Sequence, residues 1–148
     1  MDPMSLVLNH FSIRTLDLAA CERFYCRALG MHVGPRPPFP FPGLWLYPQG
    51  MDDYAHASVH IIGVDGNDPE GLKHYLGDRD AAGPRGTGCV DHLAFFATGL
   101  AALRARLAAM GIAARERTVP LLGLHQLFVD DPNGVVVELN FPATEAAA

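Results

Sequence analysis

Residues 8–31 read LNHFSIRTLDLAACERFYCRALGM, and residues 90–112 read VDHLAFFATGLAALRARLAAMGI. The two stretches are one pattern written twice. A shift of 82 residues carries His10 onto His92, Leu18-Ala19-Ala20 onto Leu100-Ala101-Ala102, Cys21 onto Leu103 and Tyr25 onto Leu107. A shift of 81 carries Gly30 onto Gly111, and a shift of 78 carries His60 onto Glu138. Each half therefore offers one metal-competent side chain near its start and another near its end. A repeat of this length fixes the architecture, because each copy is one supersecondary unit. It also gathers four scattered residues into one candidate centre.

Working outward, residues 6–14 alternate. Val7, Phe11 and Ile13 point one way and Leu8, His10 and Ser12 the other, which predicts a strand with its apolar face on a helix. Asp17 is a suitable N-cap, and Leu18, Cys21, Tyr25 and Ala28 recur at helical spacing until Gly30 ends the helix. Residues 31–64 should hold three more strands. The Pro-rich stretch 34–43 (GPRPPFPFPG) reads as loop or edge, and 44–47 and 57–64 as the better strands. Residues 65–88 form a polar connection, with a short helix at 71–76. The second half repeats the order, with a strand at 89–97, a helix at 100–110, and strands at 112–116, 124–129 and 135–140. Asp131-Pro132-Asn133-Gly134 marks a hairpin turn between the last two. The expectation is an α+β fold of two βαβββ modules in one domain. Module one covers about 6–64, the linker about 65–88, module two about 89–142, and the tail 143–148.

Bulk composition agrees with one ordinary globular domain. The chain has 148 residues, 49% of them hydrophobic and 18% charged, and a net charge of −5. No stretch collects Lys or Arg, so a nucleic-acid surface is not expected. No apolar run reaches membrane-spanning length. The start MDPMSLVLNH lacks the basic-then-apolar pattern of a signal peptide. Three cysteines, Cys21, Cys26 and Cys89, form no CxxC pair, which fits a reduced, cytoplasmic setting. Residues 143–148 read as a frayed end.

The two opening strands, the helix ending FYCRALGM, the second helix end LAAMGI and the closing hairpin FVDDPNGVVVELNF together resemble the vicinal-oxygen-chelate superfamily. That group includes glyoxalase I, methylmalonyl-CoA epimerase, fosfomycin-resistance proteins, extradiol dioxygenases and bleomycin-resistance proteins. The resemblance spans nearly the whole chain. It implies sheets curled around a metal and substrate cleft, ligands delivered by the first and last strands of each module, and a homodimer. On this chain those ligand positions are His10, His60, His92 and Glu138.

Three imidazoles and a carboxylate suit one divalent ion of the Zn, Ni, Co, Mn or Fe(II) kind rather than calcium. Four such ligands leave two positions on an octahedral ion, where a small molecule with neighbouring oxygens can chelate. The ion then stabilises an oxyanion, which gives lyase or isomerase chemistry. Proton transfer would fall to Glu138 or His60. Glyoxalase I-like proteins carry a glutamate where this chain has His60. A second reading takes only His10, His92 and Glu138 as ligands, the facial triad of Fe(II) oxygenases, with His60 free as acid/base. Extradiol dioxygenases resemble that arrangement, but often carry a tyrosine where this chain has Phe128. A third reading is a non-catalytic drug-binding protein of the bleomycin-resistance kind, a group that generally lacks the four ligands. Alternation also assigns a substrate wall. Phe39, Phe41, Trp45 and Tyr47 would line an apolar cleft, with Gln126 and Phe128 touching substrate.

A lone strand histidine is usually a satisfied or surface residue. Four metal-capable residues at equivalent positions are harder to explain by packing, since buried polar groups need partners. His32, His56, His74 and His125 fall off the repeat and read as surface residues, with His125 a secondary pocket candidate. Arg104, Arg106, Arg115 and Arg117 read as solvated faces, with Arg117 available to an anionic substrate.

Overall fold

The computed structural model describes residues 7–65, 67–76, 86–87 and 90–147. Expectations for residues 6, 89 and 148, and for most of the 65–88 connection, fall outside the described residues. The chain divides into two compact units, one around each sheet.

The first unit runs β1 (Phe11–Thr15), α1 (Leu18–Glu22), β2 (His32–Val33), β3 (Gly43–Tyr47), β4 (Val59–Gly63) and α2 (Pro69–Leu76). A wider π-type turn over Arg23–Ala28 continues α1. The second runs β5 (Leu93–Phe96), α3 (Leu100–Ala109), β6 (Arg115–Val119), β7 (Leu124–Asp130) and β8 (Val136–Pro142). The sheet orders are β1-β4-β3-β2 and β5-β8-β7-β6. In each sheet the first and last strands of the module pair in parallel, and the other pairs are antiparallel. This is the expected α+β architecture of two βαβββ modules.

Register repeats as well as order. His60 lies opposite Ser12 on one side and Trp45 on the other. Glu138 lies opposite Ala94 on one side and Phe128 on the other. Residues directly opposite across a ladder share a face, so each sheet presents the same three-position row. His10 and His92 stand two residues before Ser12 and Ala94.

The other face of each sheet carries the core. Cys21 and Tyr25 are fully buried, together with Leu46, Val59 and Ile61. Leu100, Leu103 and Leu107 of α3 are buried, as are Leu127, Val129, Val137 and Phe141. Each such large apolar side chain contributes about 1.5–3 kcal/mol on burial. Asp17 caps α1 by accepting from the Ala20 amide at 2.9 Å. The hairpin turn closes on Asp131, whose Oδ1 accepts from the Asn133 and Val135 amides at 2.8 Å each.

Three expectations change. The opening strand begins at Phe11 rather than residue 6, because its ladder with β4 starts at Phe11–Val59. The strand expected at 112–116 lies at Arg115–Val119, since the Ile112 amide donates to the Leu107 carbonyl and belongs to the end of α3. The tail is not simply frayed. Ala143–Glu145 forms a short turn, and Glu145 Oε2 accepts from the Gly99 and Leu100 amides at 2.8 and 2.7 Å. Gly99 brings no side chain to cap α3, and this remote carboxylate does so, with charge of the sign that a helix N-terminus favours.

His125 is also buried, not a surface residue. Its Nε2 lies 2.6 Å from Glu116 Oε2 and its Nδ1 lies 2.9 Å from Thr118 Oγ1. Arg104 of α3 grips the same Glu116 through Nε and Nη2. The Arg104 hydrogen bonds hold the Glu116 carboxyl down at about 2 from an ordinary 4.5, against the opposing effect of burial and with help from His125. A carboxylate with a depressed folded value contributes stability above its unfolded value and loses it as the pH falls. Glu116→Gln is therefore expected to cost about 1 kcal/mol or less at neutral pH, since solvent screens a partly exposed pair. The deficit should shrink as pH drops from about 4.5 towards 2. Thermal melts of both proteins across that range check this, and a deficit independent of pH would contradict it.

Candidate functional site

Each module brings its two expected ligands together. In the first, the His10 and His60 rings stack at 3.9 Å between centroids and 17° between planes. The indole of Trp45 stacks on the other side of His60, at 4.0 Å and 8°. In the second, His92 Nε2 lies 3.1 Å from Glu138 Oε2, and Phe128 stands edge-on to His92 at 6.3 Å. No group of three or more His, Cys, Asp or Glu side chains able to hold an ion occurs among the described residues.

The ring tautomers follow from the neighbours. His10 Nδ1 is 2.6 Å from Asn9 Oδ1, and the Asn9 amide is itself fixed because its Nδ2 donates to the Ala55 carbonyl at 3.0 Å. His92 Nδ1 is 2.7 Å from Asp91 Oδ1. In both modules the residue immediately before the histidine accepts the Nδ1 proton. That leaves Nε2 as the lone-pair atom, the arrangement that orients and enriches an imidazole ligand. His60 Nε2 is buried and has no hydrogen-bond partner. Burial chiefly, and the neighbouring His10 next, lower His60 to about 4, while a hydrogen bond to the Ala57 backbone raises it. His60 is thus a neutral imidazole at physiological pH.

Glu138 is almost fully buried, and one oxygen is spoken for. Oε1 accepts from Gln126 Nε2 at 2.9 Å and from Asn140 Nδ2 at 2.8 Å. Gln126 also donates to Asn140 Oδ1 at 2.9 Å, and Arg117 Nε donates to Gln126 Oε1 at 2.6 Å. The carboxylate therefore directs Oε2 alone at His92 Nε2. With Nδ1 of His92 committed to Asp91, two acceptor atoms face each other at 3.1 Å. Such a pair needs a proton or a cation between them. Orphaned His60 Nε2 and this acceptor pair both fit a metal ion.

The expected wall is only partly as read. Phe39, Phe41 and Trp45 line a cleft on the His60 face of the first sheet. Phe41 also packs with Ile62 and Leu72 as core. Tyr47 is not a wall residue. It is fully buried, its hydroxyl donates to the Pro35 carbonyl, and its ring lies under Gly34, where a Cβ would come within 2.6 Å of it. Gln126 is buried and serves Glu138. Arg117 donates from Nε to the neutral Gln126 amide and lies over Phe128 at 5.4 Å, contacts that position its guanidinium without neutralising it. Sequence reasoning missed Asn9, Asp91, Asn140 and Arg36. The signal available for the first two was a side-chain oxygen directly before each repeated histidine.

Among the described residues no helix is long and apolar enough to cross a membrane. No curated protein matches the chain. Among solved structures, a trypanothione-dependent glyoxalase I of Leishmania major is 20% identical with a TM-score of 0.64, over 97% of this chain and 91% of that one. A lactoylglutathione lyase from Agrobacterium tumefaciens is 20% identical with a TM-score of 0.58, over 95% and 96%. An antibiotic-binding protein from Streptomyces sp. CB03234 is 22% identical with a TM-score of 0.59, over 95% and 99%. These likenesses establish the fold and do not choose between catalysis and binding. The family model for the Glyoxalase/Bleomycin resistance protein/Dioxygenase superfamily matches residues 7–139, and with the repeated module and its register the chain belongs to that superfamily.

Proposed function

We propose that the chain is a divalent-metal-dependent enzyme of the lyase or isomerase kind, acting on a small molecule that presents vicinal oxygens. The residues proposed to serve the ion are His10, His60, His92 and Glu138. The observation that carries this reading is the facing of His92 Nε2 and Glu138 Oε2 at 3.1 Å, a pair that a cation between them would join. When bound, the ion supplies Lewis-acid stabilisation of a developing oxyanion.

The chain's own residues prepare that site. Asn9 and Asp91 lock the histidine tautomers, and Gln126 and Asn140 hold Glu138 so that only Oε2 is presented. Pre-set ligands need no reorganisation when charge develops. Glu138 Oε2 is also the candidate proton acceptor. His60 suits a ligand better than a proton carrier, because its buried ring resists the charged form until about pH 4. His60→Gln is expected to weaken metal binding by about tenfold or more, by comparison with the effect of altering even the groups around a metal site. Metal content of stripped and reloaded protein checks this. Full metal content with lost turnover would instead make His60 the acid/base.

Function is tested by adding Zn, Ni, Co, Mn and Fe(II) separately to stripped protein and assaying hydroxyketones, oxoaldehyde–thiol adducts and catechols. Metal-dependent isomerisation supports the proposal. Oxygen consumption with catechols and Fe(II) would assign ring cleavage, and no binding of any ion would sink the enzyme reading.

A further inference from the structure

We propose that the cleft on the His60 face of the first sheet is an anion site, where the Arg36 guanidinium receives the carboxylate of a small organic acid whose apolar part lies against Phe39 and Trp45. As a statement about the enzyme's substrate this rests on the function proposed above. As a statement about binding it stands on the first module alone.

Arg36, Phe39, Trp45 and His60 line one cleft, with Ser12 and Ile62 beside them. The guanidinium carbon sits 5.1 Å from the Phe39 ring centroid and 5.2 Å from that of Phe41. These two rings stack at 5.2 Å and 13° and form an apolar bed for the cation. Nη2 donates to the Phe41 carbonyl at 2.8 Å, which fixes the fork without neutralising it. Arg36 has no carboxylate within ion-pair distance among the described residues, whereas Arg104 and Arg115 each have one.

Room for the fork is made by Gly43. A Cβ there would lie 3.1 Å from Arg36 Nη2 and 3.2 Å from Nε. Burial lowers the guanidinium from its ordinary value, the mark of a cation partly withdrawn from water. A half-buried cation on aromatic rings with donors left over costs free energy unless an anion completes it. A carboxylate matches the planar fork in shape and charge. The enclosed part of the cleft is only about 30 Å³, room for a carboxylate head group and not for a whole ligand. The apolar part of the acid therefore lies at the open mouth along Phe39 and Trp45. Because Trp45 stacks on His60, an acid seated on Arg36 would bring the rest of its structure beside a proposed metal ligand.

Trp45 is the chain's one tryptophan, so its fluorescence reports on this cleft directly. The test titrates benzoate and the neutral benzamide into stripped and metal-loaded wild-type protein, Arg36→Lys and Arg36→Gln. Saturable benzoate binding is expected in wild type with or without metal, with little response to benzamide. Arg36→Gln should bind benzoate about tenfold or more weakly, as loss of a charge-assisted contact predicts, and Arg36→Lys should retain part of the affinity. Should Arg36→Gln fail to fold, the Arg36 Nε–H resonance of labelled wild-type protein replaces it, and benzoate must shift that resonance. Benzoate binding unaffected by Arg36→Gln, an unmoved Arg36 resonance, or no saturable binding overturns the proposal. Benzoate binding that survives in protein unable to take up any metal keeps the anion site and removes the enzyme reading, so the two failures are distinguishable.

Discussion

Glu138→Ala is expected to abolish tight metal binding while leaving the fold largely intact. The substitution removes the carboxylate whose Oε2 faces His92 Nε2 at 3.1 Å. Altering groups that merely support a metal ligand costs about 10–100-fold in affinity, so loss of the ligand itself should exceed about 100-fold. Truncation also takes the acceptor from Gln126 Nε2 and Asn140 Nδ2, which adds a stability cost of about 1–3 kcal/mol. Glu138→Gln separates the two effects. Its side-chain oxygen can still accept from Gln126 and Asn140, and its NH2 can donate to the His92 lone pair. That variant should therefore melt near the wild-type temperature and still fail to hold metal. Titration of stripped protein with Zn or Co, followed by elemental analysis, reads the outcome. Wild-type metal stoichiometry in both variants would remove Glu138 from the ligand set.

Gly71→Ala is expected to destabilise the first module strongly, although alanine is the better helix former. Gly71 lies in α2, and a Cβ there would sit 1.8 Å from the Pro40 carbonyl oxygen and 2.8 Å from its carbon. Helix propensity favours alanine by about 1 kcal/mol. Forcing an atom into such a contact typically costs about 1–3 kcal/mol and sometimes more, and here the obstacle is backbone that cannot swing aside. The expected net loss is about 2 kcal/mol, or roughly 4–8 °C in Tm for a chain of this size. The contact has a functional side. Pro40 joins Phe39 to Phe41, and Leu72, the neighbour of Gly71, packs with Phe41 and Ile62. The helix thus holds the aromatic bed of Arg36 in place. An unchanged Tm in Gly71→Ala would show that α2 does not seat on Pro40.

The repeat made the fold and the pairing of candidate ligands legible, because a shift between halves fixes both order and face. Strand alternation placed Trp45 with His60 and Phe128 with Glu138 on the rows that the register produces. What alternation does not carry is partnership. Gln126 has the right parity for substrate, yet its amide is spent on Glu138 and Asn140. Tyr47 shares Trp45's parity, but the Gly34–Pro35 segment covers it. His125 has the parity of Leu127 and Val129, the helix side, and burial there follows from that parity. Arg36 lies in a Pro-rich loop with no periodicity to read, so only its position over two phenyl rings gives it meaning.

The sheet orders also bear on how the protein survives at high concentration. β2 and β6 are the ends of their sheets opposite β1 and β5, and an exposed outer strand is a template for another chain's backbone. β2 is only two residues long, too short to seed a ladder. β6 is longer, but carries Arg115, Glu116 and Arg117 in succession, and alternating charge is a poor match for a second copy of itself. Brevity guards β2 and charge guards β6, so Arg115 and Arg117 protect colloidal behaviour, while Arg117 also serves the Glu138 scaffold.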